Sequence, residues 1–259
     1  MRAGTRSGLL VGLEILVPIL ILAVWWVWSA SADSFYFPPL AEILRSFQET
    51  WLFARFPTDV LPSLGRMFLG YAIAVVIAVV SGVALGLSVV ARQAASPLVE
   101  FFRAIPPTAL LPFAILVFGV GFEMKVFIIA FVCVWPVLLN TIDGVRAIDP
   151  VLRETVRVYR LSNVDQLRRI VLPAIAPQVF AGMRTSLSLA VILMVVSEMV
   201  ASTNGIGYFV LQAQRSFDIA EMWSGILLLG IFGYLLNAVF IWIERRSLTW
   251  YRAIRSSST

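Results

Sequence analysis

The chain has 259 residues, of which 60% are hydrophobic and 14% charged, and its formal net charge is +5. Its mean hydropathy of +0.91 lies far above that of soluble domains, so an all-α integral membrane protein is expected. Histidine is absent, which excludes histidine-based triads, general bases and metal sites. The single cysteine, Cys133, excludes an intrachain disulfide and is predicted to be a buried apolar side chain. No catalytic or metal-binding residue is therefore predicted.

Six apolar runs are long enough to cross a hydrocarbon layer of roughly 30 Å as helices. They cover residues 9–28, 67–90, 97–118, 126–142, 180–200 and 222–243. Of the 20 basic residues, five fall in segments on the far side from the first end, namely Arg45, Arg55, Arg66, Lys125 and Arg215, and the rest fall on the near side. Because basic residues collect on the cytoplasmic side, both termini are predicted to be cytoplasmic. This inward bias also argues against a nucleic-acid partner.

The first apolar run has two interpretations. Arg2, Arg6 and the small residues Ala30-Ser31-Ala32 resemble a secretory signal with its cleavage site. The run is long for a signal core, however, and Trp25 and Trp28 would lie where an interfacial aromatic belt is expected. A retained first span is the favoured prediction, and a cleaved signal is the alternative.

The segment at 33–64 follows the first span and has mixed polarity. Ile43, Leu44, Phe47 and Trp51 recur at helical spacing. This pattern predicts a short amphipathic helix on the outer surface. Packing against the protein is the favoured role for it, and contact with substrate is the alternative.

Spans two to four contain residues that shape helices. Gly82 and Gly86 have the spacing that lets two helices approach closely, either within the chain or at a subunit contact. Pro106 follows Arg103 in span three and predicts a kink, which could line a pathway or be purely architectural. A similar break is predicted at Pro136 in span four.

A polar, arginine-rich segment separates spans four and five. Asp149 before Pro150 is a strong helix start, because the first helical position needs no N–H partner. Ser162 is predicted to cap a second short helix that ends at Pro173. The favoured interpretation is a bent pair of short helices that a partner grips, and a solvated loop is the alternative. The predicted docking residues are Asp149, Pro150, Leu152, Arg153, Glu154, Thr155, Val156, Arg157, Tyr159, Arg160, Leu161 and Ser162.

Span five carries Ser197 and Glu198 at its outer end, before Gly205 and Gly207. An ionisable side chain at membrane depth indicates function, and the alternative is a solvated carboxylate at the interface. The glycine pair is no dinucleotide fingerprint, since no strand precedes it. The predicted lining of a transport path consists of Arg103, Pro106, Asn140, Ser197 and Glu198.

The polar segment resembles the signature of ABC-type importer permeases, which is EAA, three residues, Gly, nine residues, Ile-x-Leu-Pro. Glu154, Arg160, Ile170, Leu172 and Pro173 fall on that spacing throughout. Two departures stand out. Thr155-Val156 replaces the alanine pair, and an arginine occupies the glycine position, where glycine would permit the bend.

The resemblance extends over nearly the whole chain and is closest to the nitrate, sulfonate and taurine branch. It rests on the segments 102–107, 140–145 and 182–184, and on Ser197-Glu198 before Gly205-Ile206-Gly207. It implies a type I importer permease fold of six transmembrane helices with cytoplasmic coupling helices. Three regions are expected: 1–62, a first span and outer amphipathic segment; 63–245, the core with coupling loop 146–176; and 246–259, a basic tail.

The resemblance also implies partners. A second permease copy, two cytoplasmic ABC ATPase subunits and an extracytoplasmic binding protein are expected, in the bacterial inner membrane. The chain contains no phosphate-binding loop, so it is expected to hold no cofactor, while the ATPase subunits bind ATP and Mg. It is not expected to be an enzyme by itself.

The sequence constrains the solute weakly. Nitrate, taurine and alkanesulfonates are what the resemblance suggests, and a thiamine-precursor-like metabolite is the alternative. Two other classes stay open from the residues alone. One is a self-powered secondary carrier, which would carry inverted repeats and midplane charges, and the other is a membrane scaffold without a transport role.

Overall fold

The computed structural model describes residues 3–31, 34–149, 151–152, 159 and 162–249, with the side chains of all of these except 3–15, 30, 53 and 54. This described part consists of helices and the turns between them. Its α-helices are α1 Ala3–Ser31, α2 Leu40–Glu49, α3 Leu61–Leu87, α4 Val89–Ala104, α5 Leu111–Phe118, α6 Phe122–Arg146, α7 Asn163–Gln166, α8 Leu172–Val200, α9 Ile206–Ser216 and α10 Ile219–Ser247.

Four helical stretches in the described residues are long and apolar enough to cross a membrane: Phe56–Leu87, Phe122–Arg146, Asn163–Val200 and Ile219–Ser247. The bent pair formed by α4 and the Pro107–Phe118 stretch adds a fifth if it counts as one span. The first predicted span coincides with α1, whose described side chains include the apolar stretch Leu16–Ser29. The all-helical membrane class predicted from composition is confirmed.

Helix α6 lies at the centre of the fold, between α3 and α8. Of its most apolar window, 56% is buried within the protein, against 6% for α10. Cys133 on α6 is fully buried, as predicted, and donates to the carbonyl of Ser186 on α8 over 3.4 Å. The Ser186 hydroxyl donates in return to the carbonyl of Cys133 over 2.8 Å. These reciprocal bonds satisfy polar groups where water is absent and fix α6 against α8.

The small residues of α3 face α6. A Cβ at Gly82 would lie 2.7 Å from the Cβ of Thr141, and a Cβ at Gly86 would lie 2.6 Å from that of Val145. A Cβ at Gly70 would lie 2.9 Å from the Cβ of Ile129. The glycine spacing therefore serves close contact between two helices of one chain, which settles the choice left open by the sequence.

Replacing Gly82 by valine is expected to lower the free energy of unfolding by about 1–3 kcal/mol, because the side chain would overlap Thr141 in a packed contact. Gly230→Val on α10 is the matched control, since a Cβ there meets nothing within 4 Å. Thermal unfolding of both variants in detergent measures the difference. Equal midpoints for the two variants would show that the α3–α6 contact tolerates extra volume.

The amphipathic helix predicted after the first span is α2, and its packing role is confirmed. Ile43 is buried, and α2 contacts α10. Trp51, in the π-helical turn that follows, donates from Nε1 to the Ser224 hydroxyl on α10 over 3.1 Å and packs edge-on against Phe209. An aromatic ring with a polar tip thus joins α2, α9 and α10.

Span three bends at Pro106, as predicted, and the bend divides the predicted run over 97–118 between two helical pieces. Helix α4 ends at Ala104, and the axis bends by 87° before Pro107–Phe118 continues. Ile105 and Pro106 are both extended, with ψ of 122° and 128°. Each of them precedes a proline, which disfavours the helical conformation at two successive residues. The break predicted at Pro136 is wrong, since α6 passes through that residue without interruption.

The prediction that a short helix ends at Pro173 is also wrong. Helix α7 continues through a π-helical turn, Leu167–Val171, into α8, so that one helical stretch covers Asn163–Val200. The turn is closed by the amide of Leu172, which donates to the carbonyl of Leu167. This wider turn changes the hydrogen-bond register just before Pro173, which has no N–H to donate, so the helix continues into span five.

Candidate functional site

A fully buried carboxylate lies near the predicted outer end of α8. Glu198 is 0% exposed and accepts three hydrogen bonds. Its Oε1 receives the Ser63 hydroxyl at 2.7 Å and an Arg66 guanidinium nitrogen at 3.0 Å, and its Oε2 receives the backbone N–H of Gly207 at 3.0 Å. We call these four residues the carboxylate cluster. The alternative that Glu198 is solvated at the interface is wrong.

A second layer of hydrogen bonds surrounds the carboxylate cluster. Asp59, 3% exposed, accepts from the backbone N–H of Gly205 over 2.8 Å. The Ser63 hydroxyl accepts from the N–H of Ile206 over 3.1 Å, and Arg66 also donates to the side chain of Asn204. The first N–H groups of α9 have no partner within their own helix, so the acceptors of α3 and α8 satisfy them.

Gly205 permits this close arrangement. Its φ of +119° belongs to the region that L side chains rarely adopt, and a Cβ there would overlap the carboxylate of Glu198. The chain can therefore turn between α8 and α9 directly over the buried acid. The cluster ties the ends of α3, α8 and α9 into one unit, and every oxygen of Glu198 already has a donor from the chain.

The predicted path residues lie in three separate places. Ser197 and Glu198 are fully buried within the subunit at the carboxylate cluster. Arg103 lies beside the α4–α5 bend that includes Pro106, and it pairs with Glu100 at 2.6 Å. Asn140 donates to the carbonyl of Pro136 over 2.8 Å, in the contact between α6 and α8. Their role in lining a path stays a prediction.

The predicted docking segment is described only in part. Pro150, Arg153, Glu154, Thr155, Val156, Arg157, Arg160 and Leu161 lie outside the described residues. Among the rest, Asp149 accepts from the N–H of Val151 over 2.8 Å, as an N-cap does. Ser162 accepts from the N–H of Asp165 over 3.1 Å, so the predicted cap of the second helix is confirmed. Leu152 and Tyr159 are 38% and 74% exposed.

The helix that follows the docking segment is anchored to the core at its start. Val171 and Ile175 are buried against Val145 and Ile148, which flank the end of α6, and against Val83 of α3. The signature residues Ile170, Leu172 and Pro173 lie in this region, at the join of the π-helical turn and α8. A displacement of the docking segment would therefore act directly on α3, α6 and α8.

Sequence reasoning missed the partners of Glu198. The sequence analysis includes Arg66 only as a basic charge outside the membrane, and it singles out neither Asp59 nor Ser63. A usable signal for this pairing was present in the sequence. Basic Arg66 is predicted at the outer end of span two, and acidic Glu198 is predicted at the outer end of span five. Among the described residues, no three side chains of histidine, cysteine, aspartate or glutamate gather as a metal site would require.

Comparison with protein families gives a match over residues 70–248 to the family described as "Binding-protein-dependent transport system inner membrane component". The nitrate import permease NrtB of Leptolyngbya laminosa is 32% identical over 188 residues, which are 73% of this chain and 67% of that protein. The putative aliphatic sulfonates transport permease SsuC of Bacillus subtilis is 29% identical, over 95% of this chain and 89% of that protein. The bicarbonate transport permease CmpB of Synechococcus elongatus is 32% identical, over 71% of this chain and 67% of that protein.

Among solved structures, the inward-facing methionine ABC transporter MetNI has a chain that superposes with a TM-score of 0.65 at 21% identity, over 73% of this chain and 94% of that one. This likeness concerns the fold. The family match covers most of the chain, including the signature residues between α6 and α8. The chain therefore belongs to the inner-membrane components of binding-protein-dependent transport systems and is the membrane-spanning permease of an ABC importer.

Proposed function

We propose that this permease passes a small anion across the bacterial inner membrane. The observation that carries the proposal is the chemistry shared by its relatives, which are named for nitrate, aliphatic sulfonates and bicarbonate. All three solutes are small oxyanions or bear an anionic oxygen-rich head. A binding protein outside the membrane delivers the anion, in line with the family description.

The driving force comes from two partner ATPases, which bind ATP and Mg and dock on residues 149–162. Exposed apolar side chains at Val151, Leu152 and Tyr159 support this assignment, because a surface of that kind in water is usually covered by a partner. Closure of the ATPase pair would move the docking segments, and the buried anchor at Val171 and Ile175 would pass the movement to α8. Alternating access is then a two-state change that nucleotide binding biases.

A second copy of this chain completes the path in the proposed assembly. Both termini face the cytoplasm, on the grounds of the basic residues in the inner segments. Residues 1–62 form a first span and an outer packing helix, 63–245 form the transporting core, and 246–259 form a basic tail. The chain has no catalytic role of its own in this scheme, and the partner subunits hydrolyse the nucleotide.

Replacing Val156 by aspartate tests the docking assignment. At 3.6 residues per turn, Val156 falls on one apolar face of the predicted helix with Leu152 and Tyr159. A carboxylate buried there against an ATPase would lose its hydration without gaining a partner. ATP-dependent uptake by the full complex is expected to fall by about tenfold or more. Membrane insertion and expression are expected to stay unchanged, as measured by immunoblotting of washed membranes.

The matched control is Val120→Asp in the turn between α5 and α6, a valine that is 61% exposed and lies outside the docking loop. It introduces the same charge and should leave uptake near the unmodified rate. If Val156→Asp transported as fast as Val120→Asp, the ATPases would have to dock elsewhere.

A further inference from the structure

An open groove with mixed lining runs between α8 and α10, away from the carboxylate cluster. Its volume is about 760 Å³, and aliphatic side chains contribute most of its lining. Its polar lining residues are Arg184, Thr185, Ser188, Tyr234 and Asn237. No acidic side chain belongs to the lining, so the groove offers donors and one positive charge. Gly233 leaves its floor open, since a Cβ there would meet nothing within 4 Å.

The groove lies at membrane depth. Arg184 precedes Glu198 by about 14 residues on one helix, which is about 21 Å along the axis, less than the roughly 30 Å of a hydrocarbon layer. Tyr234 is close to the middle of α10, which runs from Ile219 to Ser247. Arg184 lies near the inner end of predicted span five, which covers residues 180–200, and the structure continues that helix beyond Arg184 back to Asn163.

The donors of this groove are largely unused within the described residues. Thr185 donates to the carbonyl of Ala181 over 3.3 Å. In that part of the chain, Arg184, Ser188 and Asn237 have neither a hydrogen bond nor an ion pair. All three are exposed at the surface of the single chain. The groove therefore holds an unpaired guanidinium beside a free hydroxyl and a free amide.

Exposing such a surface to lipid is energetically unfavourable. An arginine in a spanning helix is costly to insert, by about 2.5–3.5 kcal/mol at the helix centre and by less towards an end, so charged side chains there usually face protein or a water-filled cavity. Next to the groove on α10, Leu235 is 52% exposed and lines no part of it, so the face beside the groove is apolar there.

We propose that this groove is an anion-binding site along the transport path, in which the positive charge of Arg184 binds the solute. Ser188 and Asn237 donate to its oxygen atoms, and Tyr234 shields the site from one side. The inference rests on the proposed function for its ligand class. A guanidinium with nearby neutral donors matches the geometry of nitrate, a sulfonate or bicarbonate, which accept several hydrogen bonds at once.

Thiol labelling in proteoliposomes tests whether the groove is wet and binds anions. Cys133→Ala provides the background, since that thiol is buried. Ser188→Cys and Asn237→Cys place thiols in the groove, and Leu235→Cys is the matched lipid-facing control on α10. The probe is a negatively charged, membrane-impermeant methanethiosulfonate. Both groove thiols should react at least about tenfold faster than Leu235→Cys, because only the thiolate in contact with water is nucleophilic.

Nitrate, methanesulfonate or bicarbonate, whichever the unmodified complex transports, should slow the labelling of the groove thiols, while equimolar gluconate should not. Groove thiols that react no faster than Leu235→Cys would overturn the proposal. So would labelling that the transported anion fails to slow. Labelling is read without transport, so a complex that moves none of the three anions would refute the proposed function separately.

Arg184→Gln supplies an independent readout. Uptake by the full complex at saturating solute is expected to fall on the order of tenfold to a hundredfold, from loss of a charge-assisted contact, while binding-protein-stimulated ATP hydrolysis continues. A purely structural role would lower both. Arg184→Lys should retain part of the uptake, and Arg245→Gln in the last turn of α10 should retain all of it. Equal loss of uptake and ATP hydrolysis in Arg184→Gln would contradict the assignment.

Discussion

Replacing Glu198 by alanine is expected to lower the free energy of unfolding by about 3–5 kcal/mol, because Arg66 would be left buried without its counter-charge. The hydroxyl of Ser63 and the N–H of Gly207 would also lose their acceptor. Thermal unfolding of the purified chain in detergent measures the effect, and the yield of folded protein should fall with it. Transport should be lost in proportion to the folded fraction or beyond it.

Two variants make this result specific. Glu49→Ala removes the acid of an exposed pair with Arg45, whose side chains are 70% and 81% exposed, and should change stability little. The double variant Arg66→Met, Glu198→Met removes both buried charges and should recover part of the loss, since no unpaired ion remains. If Glu198→Ala were as mild as Glu49→Ala, the cluster would not hold α3, α8 and α9 together.

Gly205→Ala is the second change expected to have a large effect. The residue has a φ of +119°, which a side chain rarely adopts, and its Cβ would overlap the carboxylate of Glu198. Backbone strain of about 1–3 kcal/mol should add to the loss of hydrogen bonds around the displaced acid. The unfolding midpoint in detergent is the measurement, compared with the unmodified chain under the same conditions.

The chain offers a control that separates strain from overlap. Gly119 also has a positive φ, of +71°, but a Cβ there meets nothing within 4 Å. Gly119→Ala should therefore show the backbone effect alone and a smaller loss than Gly205→Ala. Gly65→Ala, which has neither feature, should be neutral or slightly stabilising. A loss at Gly205 no larger than that at Gly119 would mean that the turn can move away from Glu198.

The sequence predicted the helical spans well because each follows from the length of an apolar run. It predicted the prolines unevenly, since their effect depends on neighbours: the kink expected at Pro106 is present, whereas the breaks expected at Pro136 and Pro173 are absent. At Ile105-Pro106-Pro107 two successive residues precede a proline and the helix breaks. Pro136 stands alone in a buried helix, and α6 continues through it. Pro173 follows a π-helical turn, a feature with no clear sequence signal.

The carboxylate cluster was only half predictable. Glu198 was recognisable as an ionisable residue at membrane depth, whereas its partners Ser63 and Arg66 lie more than a hundred residues earlier in the chain. Whether they approach Glu198 depends on how α3 and α8 are rotated about their axes. The rotation of α3 is set by its glycines, which pack against α6. Arg184 was predicted only as one of the inner basic residues, because its lack of a partner within the described residues depends on which side chains α8 and α10 bring together.

The central claim is that a separate nucleotide-hydrolysing partner powers this permease through residues 149–162. The most direct test is solute uptake by the purified chain in proteoliposomes, with and without its ATPase and binding protein. Uptake of nitrate, methanesulfonate or bicarbonate is expected only when ATP, the ATPase and the binding protein are all present. Uptake by the chain alone, driven by an ion gradient, would contradict the account and identify a self-powered carrier.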